Sequence, residues 1–110
     1  MIATRVLKLR TAEKIVDVPI HIFAPERAAD GNWSCRYEVG WPDKKWEMAA
    51  WGTDSVQAIF LALQMIGSEI HSSSYHKVGA LFLDKPGGGY GFPVPSSLRA
   101  LLQGDDTLFL

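Results

Sequence analysis

Between Asn32 and Ile66 the chain reads NWSCRYEVGWPDKKWEMAAWGTDSVQAIFLALQMI, with all four tryptophans on two short alternating stretches that run into an apolar, helix-like segment. On the first stretch Trp33, Cys35, Tyr37, Val39 and Trp41 share one parity, against Ser34, Arg36 and Glu38 on the other. Period-two alternation of large β-forming residues predicts a strand with its aromatic face buried. Residues 46 to 51 then return as the second strand of a β-hairpin. A two-residue loop at Pro42-Asp43 would set Glu38 opposite Glu47, a repulsive pair. A four-residue loop, Pro42 to Lys45, pairs Trp41 with Trp46 and Val39 with Met48 and brings Arg36 opposite Trp51. That is the register we expect, with Trp51 stacked on Arg36 or free as an interface anchor.

Gly52-Thr53 ends the hairpin, and Asp54-Ser55-Val56-Gln57 has the form of a capping box, with Asp54 accepting from the Gln57 amide. In the helix that follows, Val56, Ile59, Phe60, Leu63, Ile66 and Ile70 recur at core-face spacing, opposite a polar stripe of Gln57, Gln64, Ser68 and His71. Leu61 and Met65 flank that stripe. A helix resting on one sheet would leave them uncovered, so a terminal helix with the Leu108-Phe109-Leu110 tail, or a partner, is expected to cover them.

Upstream, residues 2 to 10 have β-branched character, and Val16, Val18, Ile20 and Ile22 alternate on one face of a second strand. Pro19 lacks an N–H, which suggests an edge or a bulge there. Downstream, Ala80 to Leu83 predicts a short strand, KPGGGYGFPVP (Lys85 to Pro95) a glycine- and proline-rich loop, and Ser97 to Gln103 a short helix stopped by Gly104. The whole reads as an α+β fold over residues 1–110 as one domain. Its sheet is an antiparallel meander of about four strands with one long helix on one face, followed by a short C-terminal strand and helix.

Charge and cysteine content narrow the function classes. Eleven Lys+Arg against 12 Asp+Glu leave a formal charge of −1, which offers no field to nucleic acid or an anionic membrane. Arg5, Lys8, Arg10 and Lys14 cluster early, as expected of a solvated strand face. The longest apolar run, Ala58 to Leu63, is too short to span a bilayer, and the N-terminus lacks the apolar segment of a signal peptide. One cysteine, Cys35, permits no internal disulfide, so a cytoplasmic protein is expected.

Few residues suggest chemistry. Gly87-Gly88-Gly89-Tyr90-Gly91 could cradle an anion with backbone amides, aided by Lys85, Tyr90 and His76. It lacks the Gly-Lys-Ser/Thr of a phosphate-binding loop and the long helix of a dinucleotide site. His21, His71 and His76 do not show metal-ligand spacing, and no cofactor is implied. Cys35 falls on the inward hairpin face, where a thiol acts as a small apolar group.

The elements W-x-C-x-Y-x-V-G at Trp33 to Gly40, D-S-V-Q-A at Asp54 to Ala58 and G-F-P-V-P at Gly91 to Pro95 resemble a small bacterial family of uncharacterised domains. The resemblance implies a domain of no assigned activity and transfers no site residue. The residues themselves favour a non-enzymatic interaction module, one able to form a homodimer, with Arg36, Trp51, Leu61 and Met65 as its candidate interface. The alternative is a small anionic-ligand binder or enzyme at Lys85, Gly87, Gly88, Gly89, Tyr90 and His76. A partner that neutralises a toxin is a third class, which no residue here distinguishes.

Overall fold

A computed structural model describes residues 1–110. Strands β1 (Ala3–Arg10) and β2 (Ile15–Ile22) pair antiparallel along their whole length, and β2 then pairs through Ile20–Ile22 with β4 (Trp33–Gly40). The two-residue β3 (Glu26–Arg27) continues alongside β4 where β2 ends, and β5 (Lys45–Gly52) closes the hairpin on the other side. Pro19 sits where the β2–β4 ladder stops, so its missing N–H leaves no gap in a two-sided ladder. After helix α1 (Ser55–Ser72) and the one-turn helix α2 (Ser74–Lys77), β6 (Leu81–Phe82) joins the outer side of β1. The main strands therefore run β5-β4-β2-β1-β6, the predicted meander with α1 packed on one face: an α+β fold.

Burial follows parity. Leu7, Leu9, Val18, Ile20, Ile22, Cys35, Tyr37, Val39 and Ala50 form the covered face of the sheet. The Cys35 thiol is sealed inside, donates to the Phe23 carbonyl at 3.4 Å, and has its pKa pushed up by burial. Asp54 caps α1 as its sequence predicts, its carboxylate accepting from the Gln57 N–H at 2.7 Å, while the Gln57 side-chain Oε1 accepts from the Thr53 N–H at 2.6 Å.

The structure corrects the sequence expectation first at the hairpin. The hairpin adopts the register that places Glu38 opposite Glu47, with Val39 opposite Trp46 and Arg36 opposite Ala49. The repulsion is offset because Lys45 Nζ lies 3.7 Å from Glu38 and 3.0 Å from Glu47, and Arg36 lies 3.2 Å from Glu38. Hydrogen bonding to Lys45, and then to Glu38, holds the Glu47 pKa below its ordinary value, and Glu47 in turn raises Lys45. Two exposed cations thus neutralise a pair that looked unfavourable from opposition alone.

The second correction is the rotation of α1. Its buried stripe is Ala58, Ala62, Ile66 and Ile70 with Gly67 and His71, whereas Val56 and Phe60 are 73% and 51% exposed. The sheet supplies the bulk (Tyr37, Trp41, Leu7, Ile20), so the facing helix positions must be small for the two layers to interdigitate at close-packed density. Reading the stripe by hydrophobic size finds Ile66 and Ile70, with Ile59 and Leu63 packed beside them, but misses the alanines and wrongly includes Val56 and Phe60. His71, placed by periodicity on the polar stripe, is buried because the chain after β6 folds back along that flank. Pro93 and Val94 press so closely on Gly67 that a Cβ there would collide with the Pro93 carbonyl oxygen.

The C-terminal residues also depart from expectation. Ser96–Leu101 forms a 3-10 helix and Asp106–Phe109 a one-turn helix, α3. Leu102 is buried, but Leu108 and Phe109 are 77% and 78% exposed, so the tail does not cover Leu61 and Met65. These two are half-buried and pack against the core, Met65 in a cleft with Tyr37, Trp46 and Met48. Arg36 and Trp51 do not stack. Arg36 lies over the Phe23 ring at 3.7 Å, and Trp51 stands opposite Ser34, 57% exposed.

Candidate functional site

Two places concentrate the unusual chemistry, and the predicted residues divide between them. The first is the outer edge of the sheet. β5 pairs only with β4, so one side of its eight-residue backbone faces away from the sheet. Trp51 projects from one face of this edge strand and Met48 from the other, where Met48, Trp46, Tyr37 and Met65 line an apolar cleft of about 250 Å³. Leu61 lies one turn from Met65 on the same flank of α1. Trp51, Leu61 and Met65 thus surround one strand edge, whereas Arg36 sits one strand inward, occupied by Phe23 and Glu38.

The second place is the opposite end of the molecule, where the glycine loop meets the C-terminal segment. Lys85, Gly87, Gly88 and Gly89 line a cleft of about 480 Å³ together with Arg5, Asp84, Asp105 and Asp106. The Tyr90 and His76 side chains are not part of that cleft. They turn inward and meet each other, with His76 Nδ1 2.6 Å from the Tyr90 hydroxyl, which also lies 3.3 Å from the Leu81 carbonyl. His71 completes the cluster, its ring centroid 4.9 Å from that of His76 and 5.2 Å from that of Tyr90, both edge-on.

Protonation in this cluster is constrained. His71 Nδ1 lies 2.7 Å from the Gly67 carbonyl, which can only accept, so Nδ1 carries a proton. Its Nε2 is buried without a partner. Burial, and then the neighbouring His71, hold His76 below the usual imidazole pKa, with the Leu101 carbonyl on the tail opposing them. Burial, and then the charge of Asp106, push Tyr90 up to about 12. His71 and Tyr90 are buried and His76 is half-buried, so the cluster is suited to holding the loop in place.

The loop's amides already hold an anion. The Asp106 carboxylate, buried at 5% exposure, accepts from the Tyr90 N–H at 2.8 Å and from the Gly91 N–H at 3.1 and 3.2 Å. From the other side Arg5 Nη1 donates to the Tyr90 and Gly91 carbonyls at 3.0 and 3.1 Å. Gly91 has φ of +79°, and a Cβ on it would strike the Arg5 guanidinium, while a Cβ on Gly89 would strike the Asp106 carboxylate. Sequence reasoning missed Arg5, His71 and Asp106. Arg5 shares the inward parity of Leu7 and Leu9, which would have pulled it out of the solvated basic cluster; Asp106 carries no such signal.

Residues 3–94 match the model of a family described as a domain of unknown function, DUF6968. The chain belongs to this family. The DUF6968 match contains β5, α1, Arg5, His71, His76, Tyr90 and Gly91, while the 3-10 helix and Asp106 lie beyond it. No curated protein and no solved structure matches the chain. No group of three or more His, Cys, Asp or Glu side chains is placed to hold a metal ion, and no helix is long and apolar enough to cross a membrane.

Proposed function

We propose that this domain is a non-enzymatic interaction module that associates with a second copy of itself through β5. The observation that supports this reading is an eight-residue edge strand carrying an exposed tryptophan and an exposed methionine. Long apolar edges are normally blunted, because their open backbone groups invite strand addition. In an antiparallel pair about a two-fold axis through Met48, Lys45 faces the partner's Trp51 and Glu47 faces the partner's Ala49. Unlike groups therefore meet on the outer face, and the two Met48 side chains extend the cleft formed with Trp46 and Met65. Shifting the axis to Glu47 would oppose two carboxylates, so charge selects the first register. The resulting homodimer has one continuous sheet, an isologous arrangement.

Sedimentation equilibrium across the micromolar range tests the proposal. The wild-type chain is expected to dimerise, and Met48→Lys, which sets two ammonium groups against each other on the axis, to remain monomeric with an unchanged circular dichroism spectrum. A wild-type monomer at high micromolar concentration sinks the reading. Binding of a small anion at the glycine loop is the weaker alternative. Three carboxylates line that cleft against Arg5 and Lys85, and the converging amides are already filled.

A further inference from the structure

The peptide group joining Tyr90 to Gly91 is bonded by a charge at each end. Its carbonyl accepts from the Arg5 guanidinium, and its N–H donates to the Asp106 carboxylate. A cation on the oxygen and an anion on the N–H polarise one amide in the same sense, so each bond strengthens the other. With the Tyr90 N–H aimed at the same carboxylate, two donors converge as they do in an anion-binding nest.

We infer that Arg5 and residues 89–91 form a carboxylate-binding site of the DUF6968 domain, and that Asp106 is its tethered occupant in this chain. Three observations carry this. Arg5, Tyr90 and Gly91 lie within the family match, whereas Asp106 lies 15 residues past Gly91 and outside it. The two glycines clear space for the two charged partners, Gly89 for the carboxylate and Gly91 for the guanidinium. Finally, beyond the buried Leu102 the segment is held by polar contacts: Asp106 is buried while Leu108 and Phe109 project outward, and Gln103 Nε2 donates to the Gly88 carbonyl at 2.8 Å.

A tether of this length presents its carboxylate at an effective concentration in the millimolar range, so a free carboxylate competes poorly with it. Removing the side chain should open the site to ligand from solution. The ligand class is a carboxylate, from an acidic side chain or from a chain terminus. The site would accept such a group without any further change in the fold.

Chemical rescue in the full chain tests this. Asp106→Ala is expected to lower the melting temperature by roughly 5–10 °C, since the buried Tyr90 N–H and the part-buried Gly91 N–H lose their acceptor. Sodium acetate should restore it saturably, with sodium chloride at equal ionic strength inactive and the wild-type chain unresponsive. Acetyl-aspartate amide and acetyl-glycine then compare side-chain and terminal carboxylates, and rescue by either supports the site. A folded Asp106→Ala variant that acetate does not rescue, or that gains no more than wild type, overturns it. Should that variant fail to fold, Asp106→Asn keeps the volume and removes the charge. Exchange of the Tyr90 and Gly91 amide hydrogens is then expected to rise about tenfold with that of Val18 unchanged, and unchanged exchange at Tyr90 and Gly91 overturns the inference.

Discussion

The two ends of this molecule are closed by different physics. Where α1 crosses β4 and β5, the seal is apolar: Ala58, Ala62, Ile66 and Ile70 fit among Tyr37, Val39 and Ala50. Where residues 90–94 run back along α1, polar and directional contacts are added to the buried Phe92 and Val94: His76 on Tyr90, Arg5 on two carbonyls, Asp106 on two amides. The first kind of contact depends on volume and ignores pH. The second depends on proton positions and on the absence of particular Cβ atoms.

The largest break in that contrast is expected at Gly67, which lies on α1 but touches the polar end. Ala has the better helix propensity by about 1 kcal/mol, yet its Cβ would collide with the Pro93 carbonyl oxygen, and we expect Gly67→Ala to lose about 3 kcal/mol net by urea denaturation. A gain in stability would mean that residues 90–94 yield freely, and the distinction between the two ends would weaken. Ala62→Leu probes the apolar end alone. Overfilling a site with no spare volume costs about 2 kcal/mol, and this loss should be the same at pH 5.5 and pH 8.

Tyr90→Phe probes the polar end. Removing the hydroxyl leaves His76 Nδ1 without its partner at a cost of about 1–2 kcal/mol. The same cluster sets the pH response. Because the folded pKa of His76 is depressed below the ordinary 6.5, the unfolded chain binds more protons just below that value. Stability should be fully present above pH 6.5 and decline as pH falls through the folded pKa, and a His76→Asn variant should show a shallower decline in the same titration. The smallest effect is expected at Phe60→Ser on the exposed flank of α1, within about 0.5 kcal/mol of wild type. A loss of 2 kcal/mol there would show that the flank is covered in solution.

Much of the apolar end was legible in the sequence. Parity placed Val18, Ile20, Cys35, Tyr37 and Val39 correctly, and Asp54 marked the start of α1, because these features follow from neighbours in the chain. The face of α1 was legible only in part: Ile66 and Ile70 stood out, whereas Ala58 and Ala62 become core only against a sheet that already carries the bulky residues. The hairpin register was misread because the Glu38–Glu47 opposition is visible in sequence spacing, while its neutralisation by Lys45 depends on how a long side chain reaches across strands. At the polar end, Gly87 to Gly91 stood out by composition, but what the glycines make room for comes from Arg5 and Asp106, 86 residues before and 15 residues after Gly91.

That separation also orders events in time. The β1–β2 and β4–β5 hairpins and the capped helix form from near neighbours, whereas closing Arg5 onto Gly91 must await a loop that spans most of the chain. We therefore expect the loop with its two charged partners to lock late in folding, after both hairpins. By the same token its Tyr90 and Gly91 amides should exchange with solvent faster than those of the β1–β2 ladder, as a small unit that opens while the sheet and helix stay closed.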